Sequence, residues 1–404
     1  MATMAGRLTA FVLALVWVAG SAAMAEEKSQ RLAQAYNATG YALFEQLAGK
    51  SGNTVISPYS IGAVMAMVTA GARGKTADEL VKILHMPAGP DGIGQYVEAF
   101  DKDIAEPARG EDAELALANA LHLTRDGDVI APAYRELLKA KFGAEIFEGS
   151  DLDAVNGWVA DKTKGRIEDI LDQLDPLSVA VLVNAVYFKA GWDAPFRESA
   201  TAPADFHLSA QETVQVPTMH VTGHFPVVST EEFDALALPY KGKRFAMVVV
   251  QPKKPGETAG EVAIRPTRES MSDVIDKLVS SNMRRLDLSM PKFRTKYGAD
   301  LIPPLTELGL KLSFDSDRAD FSGITGGGEE KERISISQVR HKAFIEIDEN
   351  GTEAAAATAV EFTTRAMPAP PVPFAVDKPF LYMVVELRTG AVLFLGRVSD
   401  PRNQ

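Results

Sequence analysis

The reading of this chain turns on Glu349-Asn350-Gly351-Thr352-Glu353-Ala354-Ala355-Ala356-Ala357-Thr358-Ala359-Val360-Glu361-Phe362-Thr363-Thr364-Arg365-Ala366-Met367-Pro368, a small-residue stretch that turns proline-rich before Lys378. An alternating pattern precedes it, with Val339, His341, Ala343, Ile345 and Ile347 on one face and Arg340, Lys342, Phe344, Glu346 and Asp348 on the other. That period of two predicts a half-buried strand. Phe380-Leu381-Tyr382-Met383-Val384-Val385 reads as a second strand after it. A connection of about thirty residues inside a compact domain is unusual, and such connections are usually functional.

Side chains alternate along a strand. Drawn out as one, the stretch would carry Thr352, Ala354, Ala356, Thr358, Val360 and Phe362 on one face and Glu353, Ala355, Ala357, Ala359, Glu361 and Thr363 on the other. Both glutamates fall on the second face and none on the first. The leading residues of the uncharged face are small, so they could enter a packed layer without overfilling it. Gly351 supplies backbone freedom at the entry. A flexible linker, or a short helix favoured by alanine, fits the composition as well.

Charge and composition narrow the classes. The formal net charge of −12 disfavours a phosphate-backbone partner. No dense Lys/Arg cluster marks a polyanion site. The chain has no cysteine, so stability must come from core burial. Residues 1–25 have the form of a secretory signal, with Arg7, an apolar Leu8–Ala19 run and a small-x-small site at Ala23-Met24-Ala25. That run is too short to span a bilayer with confidence. The expectation is a secreted or periplasmic protein, away from the membrane once the signal is removed, with residues 26–404 forming a single domain. Asn37-Ala38-Thr39 is a glycosylation triplet whose use is open.

The first half reads as helices over 29–49, from Pro58 after the Ser57 cap to Gly71, from a capping box at Thr76-Ala77-Asp78-Glu79, and over 131–142 and 153–164. From residue 179 strands dominate. Val181–Phe188 is apolar on both faces, strand patterns recur at 213–219, 244–250 and 285–289, and helical patterns fall near 270–283 and 298–308. Segregated helices and strands imply an α+β fold.

Candidate chemistry outside the long stretch is weak. His220 and His224 have metal-like spacing, but strand geometry keeps them apart and no third ligand is evident, so no metal is expected. Gly71–Thr76 resembles half a phosphate-binding loop, yet Thr69 replaces its first glycine and a helix precedes it. Gly326-Gly327-Gly328 before Glu329-Glu330 reads as a solvated loop. No nucleophile with a placed base can be argued, so neither an enzyme nor a cofactor is expected.

The stretch from Glu349 resembles the hinge and reactive loop of serpins, the serine protease inhibitors: Glu349, Gly351, Thr352, Glu353, Ala354, Ala355, Ala356, Ala357 and Thr358 match that hinge. Other segments resemble the family in order: Asn53–Ser60, Asn184–Trp192, Phe206-His207, Val216–Met219, Leu238-Pro239-Tyr240, Pro291-Lys292-Phe293, Ala319–Ile324, and Phe394–Val398 with Pro401. The resemblance implies three β-sheets, eight to nine helices and an exposed reactive loop over about 349–378. It implies a cluster of Ser57, Ser60, Asn184 and His341 where the main sheet opens. It also implies a scissile bond at Arg365-Ala366, thirteen residues after Thr352. Arginine there suits a trypsin-like pocket. The Pro368–Pro373 segment is longer than usual, and reassigning that length moves the cut to Met367 or Phe362. The implied activity is suicide inhibition by loop insertion, a mode of strand addition. The alternatives are a papain-like target and a non-inhibitory carrier or chaperone. The molecule is expected to be a monomer at risk of loop–sheet polymers.

Overall fold

A computed structural model describes residues 2–48, 52–104, 113–123, 130–149, 151–172, 180–254, 268–326, 334–352 and 370–403, with backbone alone at 2–22 and 268–270. Glu353–Thr358, the candidate bond Arg365-Ala366, and the other cleavage candidates Phe362 and Met367 therefore lie outside the described residues.

Nine α-helices occur among the described residues: α1 (Ala2–Leu47), α2 (Pro58–Gly71), α3 (Gly74–Ile83), α4 (Pro90–Ile104), α5 (Pro132–Leu137), α6 (Leu152–Lys162), α7 (Arg268–Ser280), α8 (Ile302–Glu307) and α9 (Ser322–Thr325). None of the described helices is long and apolar enough to cross a membrane. The fold is α+β, as expected. Helix α2 starts as its sequence dictates. The Ser57 hydroxyl accepts the Ser60 N–H at 3.1 Å and Pro58 takes the first turn, where a missing N–H costs nothing. Almost all its residues are buried, which marks a helix at the centre of a core.

One sheet has six strands in the order β10 (Phe293–Asp300), β11 (Ile336–Ile347), β12 (Gly351–Thr352), β4 (Ala180–Gly191), β2 (Ala113–Leu123) and β3 (Glu145–Glu148). The other has β1 (Thr54–Ile56), β15 (Ala391–Val398), β14 (Phe380–Glu386), β8 (Phe245–Pro252), β7 (Phe233–Pro239), β6 (Thr213–Ser229), β9 (Met283–Pro291) and β13 (Val372–Ala375), with β5 (Ala202–His207) added on β6. Three separate sheets were expected, but the described strands form two networks. The reason is β6, which runs seventeen residues, pairs with β5 and β9 along most of its length, and joins β7 through Val227–Ser229.

Both faces of the six-stranded sheet are covered. Inward, Leu182, Val186, Phe188, Val339, Ala343, Ile345 and Ile347 join the main core with α2 and the nine-stranded sheet. Outward, Ala118, Ala120, Val181, Val183, Ala185 and Phe344 form a second core under Val155 and Val159 of α6 and Ile167, Ile170 and Leu171 of its trailing segment.

Several local readings need correction. Thr76 and Glu79 do not cap α3, whose N-cap is Arg73 with no side-chain hydrogen bond. Thr76 Oγ1 instead accepts the Asp320 N–H, and Glu79 accepts the N–H groups of Lys311 and Leu312. Residues 298–300 end β10 before α8 begins, and Met283 already belongs to β9. The glycosylation triplet is closed in the fold. Asn37 is buried, its Nδ2 donates to Gly390 O at 2.7 Å and its Oδ1 accepts from Val392 N at 2.9 Å.

Candidate functional site

The centre of the six-stranded sheet is irregular in a specific way. Strands β4 and β11 run parallel and pair from Ala180 with Ile336 to Val186 with Ala343. There the ladder ends. Among the described residues no pair joins Tyr187–Lys189 of β4 to Phe344–Glu346 of β11. Beyond this gap β12 sits between the two strands, antiparallel to both: Thr352 pairs with Ile347 on one side and Ala190 on the other, and Gly351 pairs with Gly191. At this end β4 and β11 stand one strand apart, a slot that holds Gly351 and Thr352 at its head.

The turn feeding the slot is tightly held. Asp348 Oδ1 accepts the N–H groups of Asn350 (2.8 Å) and Gly351 (3.2 Å), and Asp348 N donates to Gly351 O at 3.0 Å. Burial pushes the Asp348 carboxyl above its ordinary value. Trp192 donates from its indole to Asp348 O and from its backbone to Asn350 O, both at 2.9 Å. Gly351 has φ +147°, and a Cβ there would stand 2.1 Å from Ala190 O, so only glycine fits.

Glu349 is buried beside this turn. Its carboxylate accepts from Thr201 Oγ1 at 2.6 Å and pairs with Lys292 Nζ at 2.8 Å. Burial opposes ionisation, but the bonds from Lys292 and Thr201 outweigh it and hold the carboxyl below its usual range. Thr352 is 1% exposed, and its hydroxyl lies 2.6 Å from the Tyr240 hydroxyl. Tyr240 stacks on Trp192 with centroids 4.6 Å apart, and meets Phe188 edge-on. Thr352 therefore enters the sheet against an aromatic wall.

Below the slot, where β4 and β11 still pair, the structure brings together Ser57, Ser60, Asn184 and His341. His341 Nδ1 donates to Asn184 Oδ1 at 2.6 Å, and its Nε2 accepts the Ser57 N–H at 3.2 Å. Asn184 Nδ2 donates to Ser60 O at 2.8 Å and to Asn119 Oδ1 at 2.7 Å. The Ser60 hydroxyl is buried with no hydrogen-bond partner among the described residues. Desolvation lowers the His341 imidazole to about 3, so it is neutral in this setting. A protonated Nε2 would also face the Ser57 N–H donor. The cluster joins β11 to β4 where their ladder is intact, through the bonds of His341 and Asn184, which are individually breakable.

Asn119, Tyr240, Trp192, Lys292 and Thr201 were not singled out in the sequence. Trp192, Tyr240 and Lys292 fell inside matched segments, but neither periodicity nor spacing ties them to the hinge. His220 and His224 pair across β6 and β9 with Ser289 and Arg285, and no group of three ligand-type side chains able to hold a metal occurs among the described residues.

The Serpin (serine protease inhibitor) family model matches residues 34–401. A serpin-like protein of Thermococcus kodakarensis is 36% identical over 94% of this chain and 88% of its own length. The human leukocyte elastase inhibitor (Homo sapiens) is 33% identical over 87% of this chain and 94% of its own. The crystal structure of native protease nexin-1 with heparin superposes with a TM-score of 0.79 at 28% identity, covering 92% of this chain and all of that one. Relatives such as the elastase inhibitor are protease inhibitors, not enzymes. A family pattern spanning nearly the whole chain, on a fold in which Gly351 and Thr352 lie between β4 and β11, places this protein in the serpin family.

Proposed function

We propose that this protein is an exported, single-use inhibitor of trypsin-like serine proteases, attacked at Arg365-Ala366. The observation that carries this reading is β12: Gly351 and Thr352 already occupy the head of the slot. Continuing their register, residue 354 would meet Phe188 and Ile345, residue 356 Val186 and Ala343, and residue 358 Asn184 and His341. Thr358 would then share a face with Thr352 and enter the polar cluster that contains the unpartnered Ser60 hydroxyl. Completing the strand trades one parallel β4–β11 ladder for two antiparallel ones, and antiparallel pairing is slightly the stronger per residue. Apolar side chains on the inserting face are buried at the same time.

Once the protease has formed its acyl-enzyme on Arg365, insertion of residues from Thr352 to about Thr363 carries it across the molecule and distorts its catalytic groups before deacylation. Insertion must separate His341 from Asn184, so the cluster acts as a latch on the sheet. The signal-like residues 1–25 support export to a periplasm or the medium. A loop able to enter this slot can equally enter a neighbour's, which carries a risk of polymers.

Incubation with trypsin, followed by denaturing electrophoresis and mass spectrometry, tests the reading. A covalent complex and a fragment beginning at Ala366 are expected. Thr352→Arg should convert the inhibitor into a substrate, because the guanidinium would have to be buried unpaired at the slot. A fragment beginning at Pro368 or Thr363 would move the bond. Unchanged partitioning of the Thr352 variant between complex and cleaved product would refute the hinge assignment.

A further inference from the structure

The chain contains two Asn-Gly pairs, Asn156-Gly157 and Asn350-Gly351. This is the pairing in which the following backbone nitrogen most easily reaches the asparagine side-chain carbon, because glycine has no Cβ to obstruct ring closure. The two sites differ sharply in setting. Asn156 lies within α6. Its Oδ1 accepts from Ile170 N (2.9 Å) and Leu171 N (3.0 Å), and its Nδ2 donates to Leu171 O (2.9 Å), so its amide is held away from its own backbone. Asn350 lies in the hinge turn. Its Nδ2 reaches Glu198 Oε1 at 3.3 Å in an exposed contact open to water. The N–H that would attack it, that of Gly351, already points at a carboxylate oxygen, Asp348 Oδ1, at 3.2 Å. Burial raises that carboxyl and makes it the better proton acceptor.

We propose that Asn350 is a site of spontaneous deamidation that retires the folded inhibitor with age, a consequence resting on the hinge reading above. Asp348 takes the Gly351 amide proton, and the Gly351 nitrogen bonds to Asn350 Cγ. The Cγ–Nδ2 bond then breaks, and ammonia leaves with a proton. Water opens the resulting five-membered imide at either carbonyl. The net change is amide plus water to carboxylate plus ammonium, with no oxidant or reductant. Opening at one carbonyl gives aspartate, a new anion facing Glu198 and beside Asp348 and Glu349. Opening at the other gives isoaspartate, which adds a backbone methylene just before Gly351. That position has no slack, since even a methyl group on Gly351 would meet Ala190 O at 2.1 Å. The lengthened isoaspartate backbone should expel Gly351 and Thr352 from the slot, whereas the aspartate product adds only an exposed like-charge contact with Glu198.

The test ages the folded full chain in mildly alkaline buffer, with peptide mapping by mass spectrometry and enzymatic labelling of isoaspartate. Asn350 should convert while Asn156 stays intact, Asn350→Gln should abolish the conversion, and Asp348→Asn should slow it at least about tenfold, below the usual contribution of a general base. Aged protein should lose covalent complex formation with trypsin in proportion to its isoaspartate content and gain deuterium exchange at 351–352. Equal conversion of both asparagines, or conversion only in urea-unfolded chain, would overturn the proposal. So would full conversion to isoaspartate with inhibition intact. Unaged protein is assayed first. Failure to trap trypsin there refutes the inhibitory reading, and the deamidation is then judged on mass and exchange alone.

Discussion

The two hydroxyls that meet at the head of the slot allow a quantitative test of the hinge. Tyr240 is fully buried and Thr352 is 1% exposed, with 2.6 Å between their oxygens. Thr352→Val keeps the side-chain shape but leaves the Tyr240 hydroxyl in an apolar wall without that partner. Tyr240→Phe keeps the stack on Trp192 but strands the Thr352 hydroxyl. Removing one partner of a buried hydrogen bond costs about 1–3 kcal/mol, whereas replacing both by apolar groups of the same shape is close to neutral. The double variant should therefore be close to neutral although each single variant loses stability, so the coupling energy is the sum of the two single losses, about 2–6 kcal/mol in magnitude, against the near-additivity, within about 0.5 kcal/mol, of independent sites. Urea unfolding of the four proteins at neutral pH, read from the first transition, supplies the cycle. Thr352→Val should still trap trypsin, since valine brings no charge to the inserting face. Additive losses would mean that the hydroxyls do not face each other, and that Thr352 is not seated in the sheet.

Three further outcomes are expected. His341 has a folded-state value of about 3 against an ordinary imidazole near 6.5, so the unfolded chain binds the proton first. Its contribution is present above pH ~6.5 and is lost at about 1.4 kcal/mol per pH unit as pH falls toward 3; a urea midpoint that does not fall more steeply with acid than that of His341→Gln would refute this. Gly351→Ala should expel the hinge, seen as faster deuterium exchange at 351–352 with the rest of the sheet unchanged, and equal exchange would contradict the contact at Ala190 O. Arg365→Leu should abolish the trypsin complex while leaving intact the rise in thermal midpoint that follows loop cleavage by another protease, and a persistent trypsin complex would place the bond elsewhere.

How much of this was legible in the sequence depended on whether a signal was local. The β11 alternation, the Ser57-Pro58 cap of α2 and the doubly apolar β4 could be read because each is set by neighbouring residues. Strand β2 could not. Ala113-Glu114-Leu115-Ala116-Leu117-Ala118 has the composition of a helix, and burial between β4 and β3 overrides that propensity. Thr76 and Glu79 had capping-box spacing but serve residues more than two hundred positions away, a choice that tertiary contact alone makes. The α+β class followed from segregated helices and strands, yet the merging of sheets through β6 depends on one strand continuing well past its expected end at 219. At the candidate site, Ser57, Ser60, Asn184 and His341 came from the family resemblance, as did the hinge from Glu349 to Thr358. Asn119, Lys292 and Thr201 carry no local sign of their partners. Their roles exist only once β2, the β9–β10 turn and the β5 approach are folded against β4 and the hinge.

The closed triplet at Asn37 has a bearing on manufacture. In a eukaryotic secretory host, sugar is attached to asparagine while the nascent polypeptide is still threading into the lumen, before α1 has docked on the β14–β15 turn. An oligosaccharide on Nδ2 would then occupy the place of the Gly390 carbonyl and keep α1 from seating. Yeast or insect-cell expression should accordingly yield misfolded, retained product unless Asn37 or Thr39 is replaced, whereas a bacterial host avoids the conflict.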